Sequence, residues 1–139
     1  MEAKVIWNNK LSFTGSAANG FTVPLDAELA VGGENNGFEP MELIAIGLAG
    51  CTAMDSISIL QKKRQDVTAF QVQVHSERAD EYPKVFTHIT IEYLVEGRNV
   101  DPKAVERSIE LSATKYCPAQ AMLSKVCIIE HRYTIKDAN

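Results

Sequence analysis

Apolar and polar positions change their period several times along this chain, and each change marks an element. In the first third, KVIW and LSFTG flank the turn-like Asn8-Asn9-Lys10, and GFTVPLDAELAV supplies further strand material before Gly32-Gly33. Gly32 to Gly37 then reads as a loop, and Pro40 stands where a helix begins, its fixed φ and missing N–H costing nothing in a first turn. From Met41 to about Gln65 the pattern predicts one long helix with Leu43, Ile44, Ile46, Leu48, Ala49, Ala53, Ile57 and Leu60 spread over every face. A helix apolar all round is expected to be central and buried. Gly47 and Gly50 lower its propensity by roughly 1 kcal/mol each against alanine, so their expected use is close approach to that backbone.

Strict alternation returns at Phe70, Val72 and Val74 against Gln71, Gln73 and His75, and again at Ile89, Ile91, Tyr93 and Val95. Two half-buried strands of this kind predict a hairpin. Asp101-Pro102 opens a second helix with Val105, Ile109, Ala113 and Tyr116 on one stripe, and Cys117-Pro118 interrupts it. A short helix through Met122 and Leu123 follows, then a last strand with Cys127, Ile129, Tyr133 and Ile135 on one side. The expected class is α+β, with mostly antiparallel sheets around one long buried helix. No repeat or linker-like tract divides the chain, so residues 1–139 are expected to form one domain.

Composition narrows the partners. A net charge of −4 without a basic tract argues against nucleic acid and anionic membranes. The apolar stretch Leu43 to Met54 falls short of the ~20 residues a membrane span needs. MEAKVIWNNK lacks the apolar core of a signal peptide, which predicts a cytoplasmic protein. Three cysteines in such a chain do not form a structural disulfide framework, so a bond between two of them is expected to be transient and catalytic.

Most chemistries are unsupported. His75, His88 and His131 are far apart in strand patterns with no metal-ligand spacing, so no metal is expected. There is no Gly-x-Ser-x-Gly elbow, and the Gly32-Gly33 loop is no phosphate-binding motif. The cysteines remain. Pro118 places Cys117 at a helix N-terminus, where free N–H groups and the positive dipole end favour a thiolate, with Lys115 adding charge. A cysteine that merely fits a helical corner reads equally well. Cys51 shares its helix face with Ile44, Gly47, Leu48, Met54, Asp55 and Ser58, all within about 80°. An apolar setting and a neighbouring carboxylate both raise a thiol pKa, so the local pattern alone favours inert burial. Cys127, in an apolar strand, reads as structural.

Two motifs change this balance. Phe38-Glu-Pro-Met-Glu-Leu-Ile-Ala-Ile-Gly-Leu-Ala-Gly-Cys-Thr-Ala-Met, followed much later by Lys115-Tyr-Cys-Pro-Ala, resembles the OsmC/Ohr family of osmotically induced and organic hydroperoxide resistance proteins. His75-Ser-Glu-Arg-Ala-Asp-Glu-Tyr-Pro-Lys-Val-Phe-Thr resembles one OsmC-like subgroup. The resemblance implies an intertwined homodimer whose cysteines meet near the subunit interface, and thiol peroxidase chemistry without metal or organic cofactor. Cys51 would become a sulfenic acid, Cys117 would condense with it to a disulfide, and an external dithiol would reduce that bond. Apolar surroundings would favour an organic hydroperoxide over hydrogen peroxide.

The chain also departs from the family pattern. Active hydroperoxide reductases of this family pair an arginine in the N-terminal β region with a glutamate ten residues before the first cysteine. No arginine occurs here through Pro40, and Met41 holds the glutamate position. Glu42 lies nine residues before Cys51, on the opposite side of a straight helix. Arg78 is then the candidate substitute cation, reaching the site from the hairpin or from a partner subunit, with a solvated strand-end charge as the plain alternative. Two functions stay open: a peroxidase, and a non-catalytic dimer holding a small apolar or thiol-containing molecule in its inter-subunit pocket.

Overall fold

The computed structural model describes all 139 residues, which divide into two compact units, Met1–Ala45 and Ile46–Asn139. The first unit is an antiparallel sheet of β1 (Ala3–Asn9), β2 (Ser12–Ala17) and β3 (Thr22–Leu25), in that order. Lys10 turns between β1 and β2 with φ +48, so the turn at Asn8-Asn9-Lys10 forms as expected. Strand structure after Phe21 is confined to β3; Leu29–Val31 forms a 3₁₀ turn instead. The buried Asp26 carboxylate explains the change. It accepts backbone N–H bonds from Ala27 (2.7 Å), Glu34 (3.4 Å) and Asn36 (3.1 Å), and so curls residues 27–36 into a loop around itself.

Helix α1 runs from Pro40 to Lys62, beginning one residue and ending about three residues earlier than the pattern predicts. Arg64, at φ +56, leaves the helical region, and the Gln65 amide closes back on the Leu60 carbonyl at 3.0 Å. At 23 residues α1 is long and apolar enough to cross a membrane, by length and composition only, unlike the shorter stretch Leu43–Met54. Its buried residues are Leu48, Thr52, Ser56 and Leu60, a single stripe at i, i+4, and two of the four are hydroxyls. Expected burial on every face is therefore corrected: Ile46 is 51% and Met54 74% exposed. A side chain added at Gly47 or Gly50 would meet nothing within 4 Å, so nothing in this chain makes the close approach their presence suggests.

In the second unit β4 (Asp66–Arg78), β5 (Phe86–Arg98) and β6 (Ile128–Asp137) form one sheet with β5 in the middle. β4 and β5 pair antiparallel, setting Val72 opposite Tyr93, and β6 joins β5 in parallel, setting Tyr133 opposite Tyr93. The alternation along β5 is borne out, since Ile89, Ile91, Tyr93 and Val95 are all buried. In β6 the inward positions are Ile129, His131, Tyr133 and Ile135, with Cys127 just outside the strand. α2 (Pro102–Leu111) begins as expected, with Asp101 accepting from the Lys103 amide at 3.0 Å, and it buries Ala104, Val105, Ser108 and Ile109. Its predicted continuation through Tyr116 is a π-helical segment, Ser112–Tyr116, in which Tyr116 is exposed. Pro118 then starts α3 (Pro118–Leu123).

Candidate functional site

The π-helical segment positions the second cysteine. Its wider turn lets the Cys117 amide bond the Ser112 carbonyl five residues back, at 2.9 Å. Cys117 is thereby left extended (φ −82, ψ 106) as the N-cap of α3, where its sulfur accepts the Gln120 amide at 3.3 Å. Cys51, on α1, is half-buried, whereas Cys117 is buried. The two sulfurs and a carboxylate oxygen of Asp55 all lie within 4.8 Å of one another. The structure therefore joins Cys51 to Cys117 and adds Asp55, one helical turn along from Cys51.

The Cys117 setting corrects the thiolate expectation. Burial first, then the Cys51 sulfur beside it, push the thiol up from 9.0 to about 11, against the lowering pull of the Gln120 amide. The helix end holds the sulfur in place without ionising it. Lys115, expected to add charge there, has its Nζ 5.2 Å from the ring centroid of Tyr116.

Behind the sulfurs lies a buried polar chain that the sequence pattern did not show. Ser112 Oγ donates to Asp55 Oδ2 at 2.9 Å. An ionised carboxylate can only accept and a serine has one proton, which fixes the direction of every other bond. Thr52 Oγ1 must donate to Ser112 Oγ (2.8 Å), so Tyr93 Oη donates to Thr52 (2.8 Å). Gln120 Nε2 also donates to Thr52, at 3.0 Å. Tyr93, its proton spent, accepts from His131 Nδ1 at 3.3 Å. Donors thus run one way, from His131 through Tyr93, Thr52 and Ser112 to Asp55. Burial pushes the Tyr93 hydroxyl up to about 12 and lowers His131, so both are neutral at pH 7, in keeping with that pattern.

The other predicted site residues are engaged elsewhere. Glu42 Oε1 accepts the Glu39 amide at 2.9 Å, closing the N-terminus of α1 as a helix cap. Arg78 Nε donates to the Lys84 carbonyl at 2.8 Å and ties down the β4–β5 connection. His75 pairs with Glu92 (3.2 Å) and His88 with Glu130 (2.9 Å). Cys127, just outside β6, donates its thiol to the Leu123 carbonyl at 3.3 Å.

The pairing of a helix cysteine with a Cys-Pro at a second helix start is the arrangement the two motifs imply. The family model for OsmC-like proteins matches residues 33–132, which include both cysteines. The chain belongs to the OsmC family. Protein YhfA of Escherichia coli K12 is 40% identical to it over 135 residues, covering 97% of this chain and 98% of YhfA. Among solved structures, a hypothetical protein from Aquifex aeolicus superposes with a TM-score of 0.87 at 27% identity, over 99% of this chain and 97% of that one. An OsmC-like protein from Mycoplasma pneumoniae gives 0.82 at 18% identity, over 97% and 96%. An organic hydroperoxide resistance protein from Elizabethkingia anophelis shares the fold at greater distance, with a TM-score of 0.71 and 14% identity over 96% and 94%. Within this OsmC family member, Asp55 is the charged group that the structure sets beside the sulfurs.

Proposed function

We propose that this OsmC family member is a thiol-dependent peroxidase that reduces organic hydroperoxides. The observation that carries the reading is the approach of Cys51, Cys117 and Asp55 within 4.8 Å. Cys51, the more accessible sulfur, attacks the hydroperoxide oxygen; the O–O bond breaks, an alcohol leaves, and Cys51 becomes a sulfenic acid. Cys117, held as a neutral thiol, then attacks that sulfur, expelling water and closing a Cys51–Cys117 disulfide. An external dithiol in the cytoplasm restores both thiols by exchange. Alkyl groups are favoured by the apolar surface beside Cys51, where Met54, on the same helix face, stands exposed in the single chain. That surface, together with the open space at Gly47 and Gly50, supports a homodimer in which a second copy covers α1.

The test is consumption of cumene hydroperoxide by the reduced protein with dithiothreitol present. Turnover that stops on Cys51→Ser supports the reading. Unchanged peroxide overturns it, in favour of a dimer that holds a small apolar or thiol-containing molecule. Sedimentation equilibrium decides the dimer separately, and a monomer at micromolar concentration contradicts it.

A further inference from the structure

We propose that Asp55 is the acid–base residue shared by both cysteines, held in place by the one-way hydrogen-bond chain from His131. This deepens the peroxidase reading and rests on its thiol chemistry. Members of the family that carry the arginine–glutamate pair activate the thiol with a positive charge. No such charge is hydrogen-bonded at the sulfurs here, and a carboxylate stands within 4.8 Å of both instead. A carboxylate has two opposed effects on a thiol. Its charge disfavours the thiolate, while its lone pairs can take the thiol proton as the sulfur attacks.

The surroundings favour the second effect. One carboxylate oxygen accepts from Ser112, which fixes the group's orientation and leaves the other oxygen free for a proton. The groups facing it are Cys51 on α1, Cys117 at the α3 N-cap, and Ser112 on the π-helical segment. Tyr93 on β5 and His131 on β6 lie further along the chain of bonds. Lys62 and Tyr116 line with Asp55 a cavity of about 280 Å³, which gives the carboxylate access from outside the buried chain.

The proton count closes at both steps. In the first, Asp55 takes the S–H proton of Cys51 as sulfur bonds to oxygen; the O–O bond breaks and the departing alkoxide takes that proton, leaving alcohol. In the second, Asp55 takes the S–H proton of Cys117 as the S–S bond forms; the S–O bond breaks and the departing hydroxide leaves as water. Asp55 ends each step ionised, ready for the next. Ser112, Thr52, Tyr93 and His131 are positioning residues, since none of them exchanges a proton with the sulfurs.

Asp55→Asn separates the two effects by sign, because asparagine keeps the shape and the Ser112 bond but cannot take the proton. As the acid–base residue, its loss slows sulfenic acid formation and disulfide closure roughly 100-fold and removes their solvent deuterium isotope effect. Acting only through charge, its loss eases thiolate formation and speeds both steps. An unchanged or faster Asp55→Asn therefore overturns the proposal. Stoichiometric 4,4′-dithiodipyridine gives the same comparison without peroxide: Cys51 releases one thiopyridone and Cys117 a second as the disulfide closes. A wild-type protein inert to hydroperoxide but slowed by Asp55→Asn in this assay overturns the peroxidase reading and retains the shared base. For the chain, Thr52→Val should slow closure about 10-fold while Thr52→Ser restores it. Equal rates in these two folded variants would remove the chain's positioning role.

Discussion

Cys117 and Cys127 sit at opposite ends of the same short helix, and the two ends treat sulfur differently. At the start of α3, the Cys117 sulfur accepts an amide proton from Gln120 and lies beside Cys51. Beyond its end, the Cys127 thiol gives its own proton to the Leu123 carbonyl. Burial raises the pKa of both. Burial and helix geometry alone therefore do not single out a working cysteine. The distinction is the partner, because only Cys117 has a second sulfur and a carboxylate within 4.8 Å.

The sharpest way to break this comparison is by substitution of the sulfurs. With hydroperoxide and dithiol, Cys51→Ser should abolish turnover. Cys117→Ser should leave a Cys51 sulfenic acid that dimedone traps and stop the normal disulfide cycle. Cys127→Ser should turn over as the wild type does. Trapping at Cys127, measured by peptide mass mapping, would erase the difference between the two helix ends.

Next in size is the buried network behind Cys117. Gln120→Ala removes a donor to Thr52 and should cost about 1–3 kcal/mol of stability, read by urea unfolding. Cys127→Ala, which removes only a donor to a helix-end carbonyl, should cost less. The alkaline limb comes third. A thiol raised from 9.0 to about 11 stays neutral in the fold while the unfolded chain ionises. Its contribution is complete below pH 9 and lost as pH rises through about 11. The melting temperature of the reduced protein should fall over that window, and less steeply in Cys117→Ser.

Arg78→Ala should have the smallest effect, changing the peroxide rate no more than about twofold. Arg78 holds the Lys84 carbonyl, and losing a side-chain donor there removes a bond worth about 1 kcal/mol. A much larger fall in rate would return a cation to the mechanism.

Local punctuation was legible in the chain: Asp101-Pro102 and Cys117-Pro118 begin helices where they should, and alternation marks β5 correctly. The link between Cys51 and Cys117 was legible only through the family motifs, since 66 positions separate them. The polar chain was hidden by a different cause. Tyr93 reads as one more apolar member of a strand, and His131 as one more strand histidine. Their partners lie 41 and 38 positions away, beyond any periodicity. The available signal was Thr52, a hydroxyl next to Cys51 in an otherwise apolar run. Such a group, once buried, must find a partner. The exposed faces of α1 depart from the sequence pattern for the opposite reason. Apolarity on every side predicts burial, but a single copy covers only the stripe from Leu48 to Leu60.

The most direct test of the central claim is peptide mapping of the reduced protein after one equivalent of cumene hydroperoxide. A single cross-link between the peptides bearing Cys51 and Cys117, with loss of two hydrogens and Cys127 left free, is the predicted result. Full peroxide exposure that leaves Cys51 and Cys117 unlinked and unmodified would contradict the account.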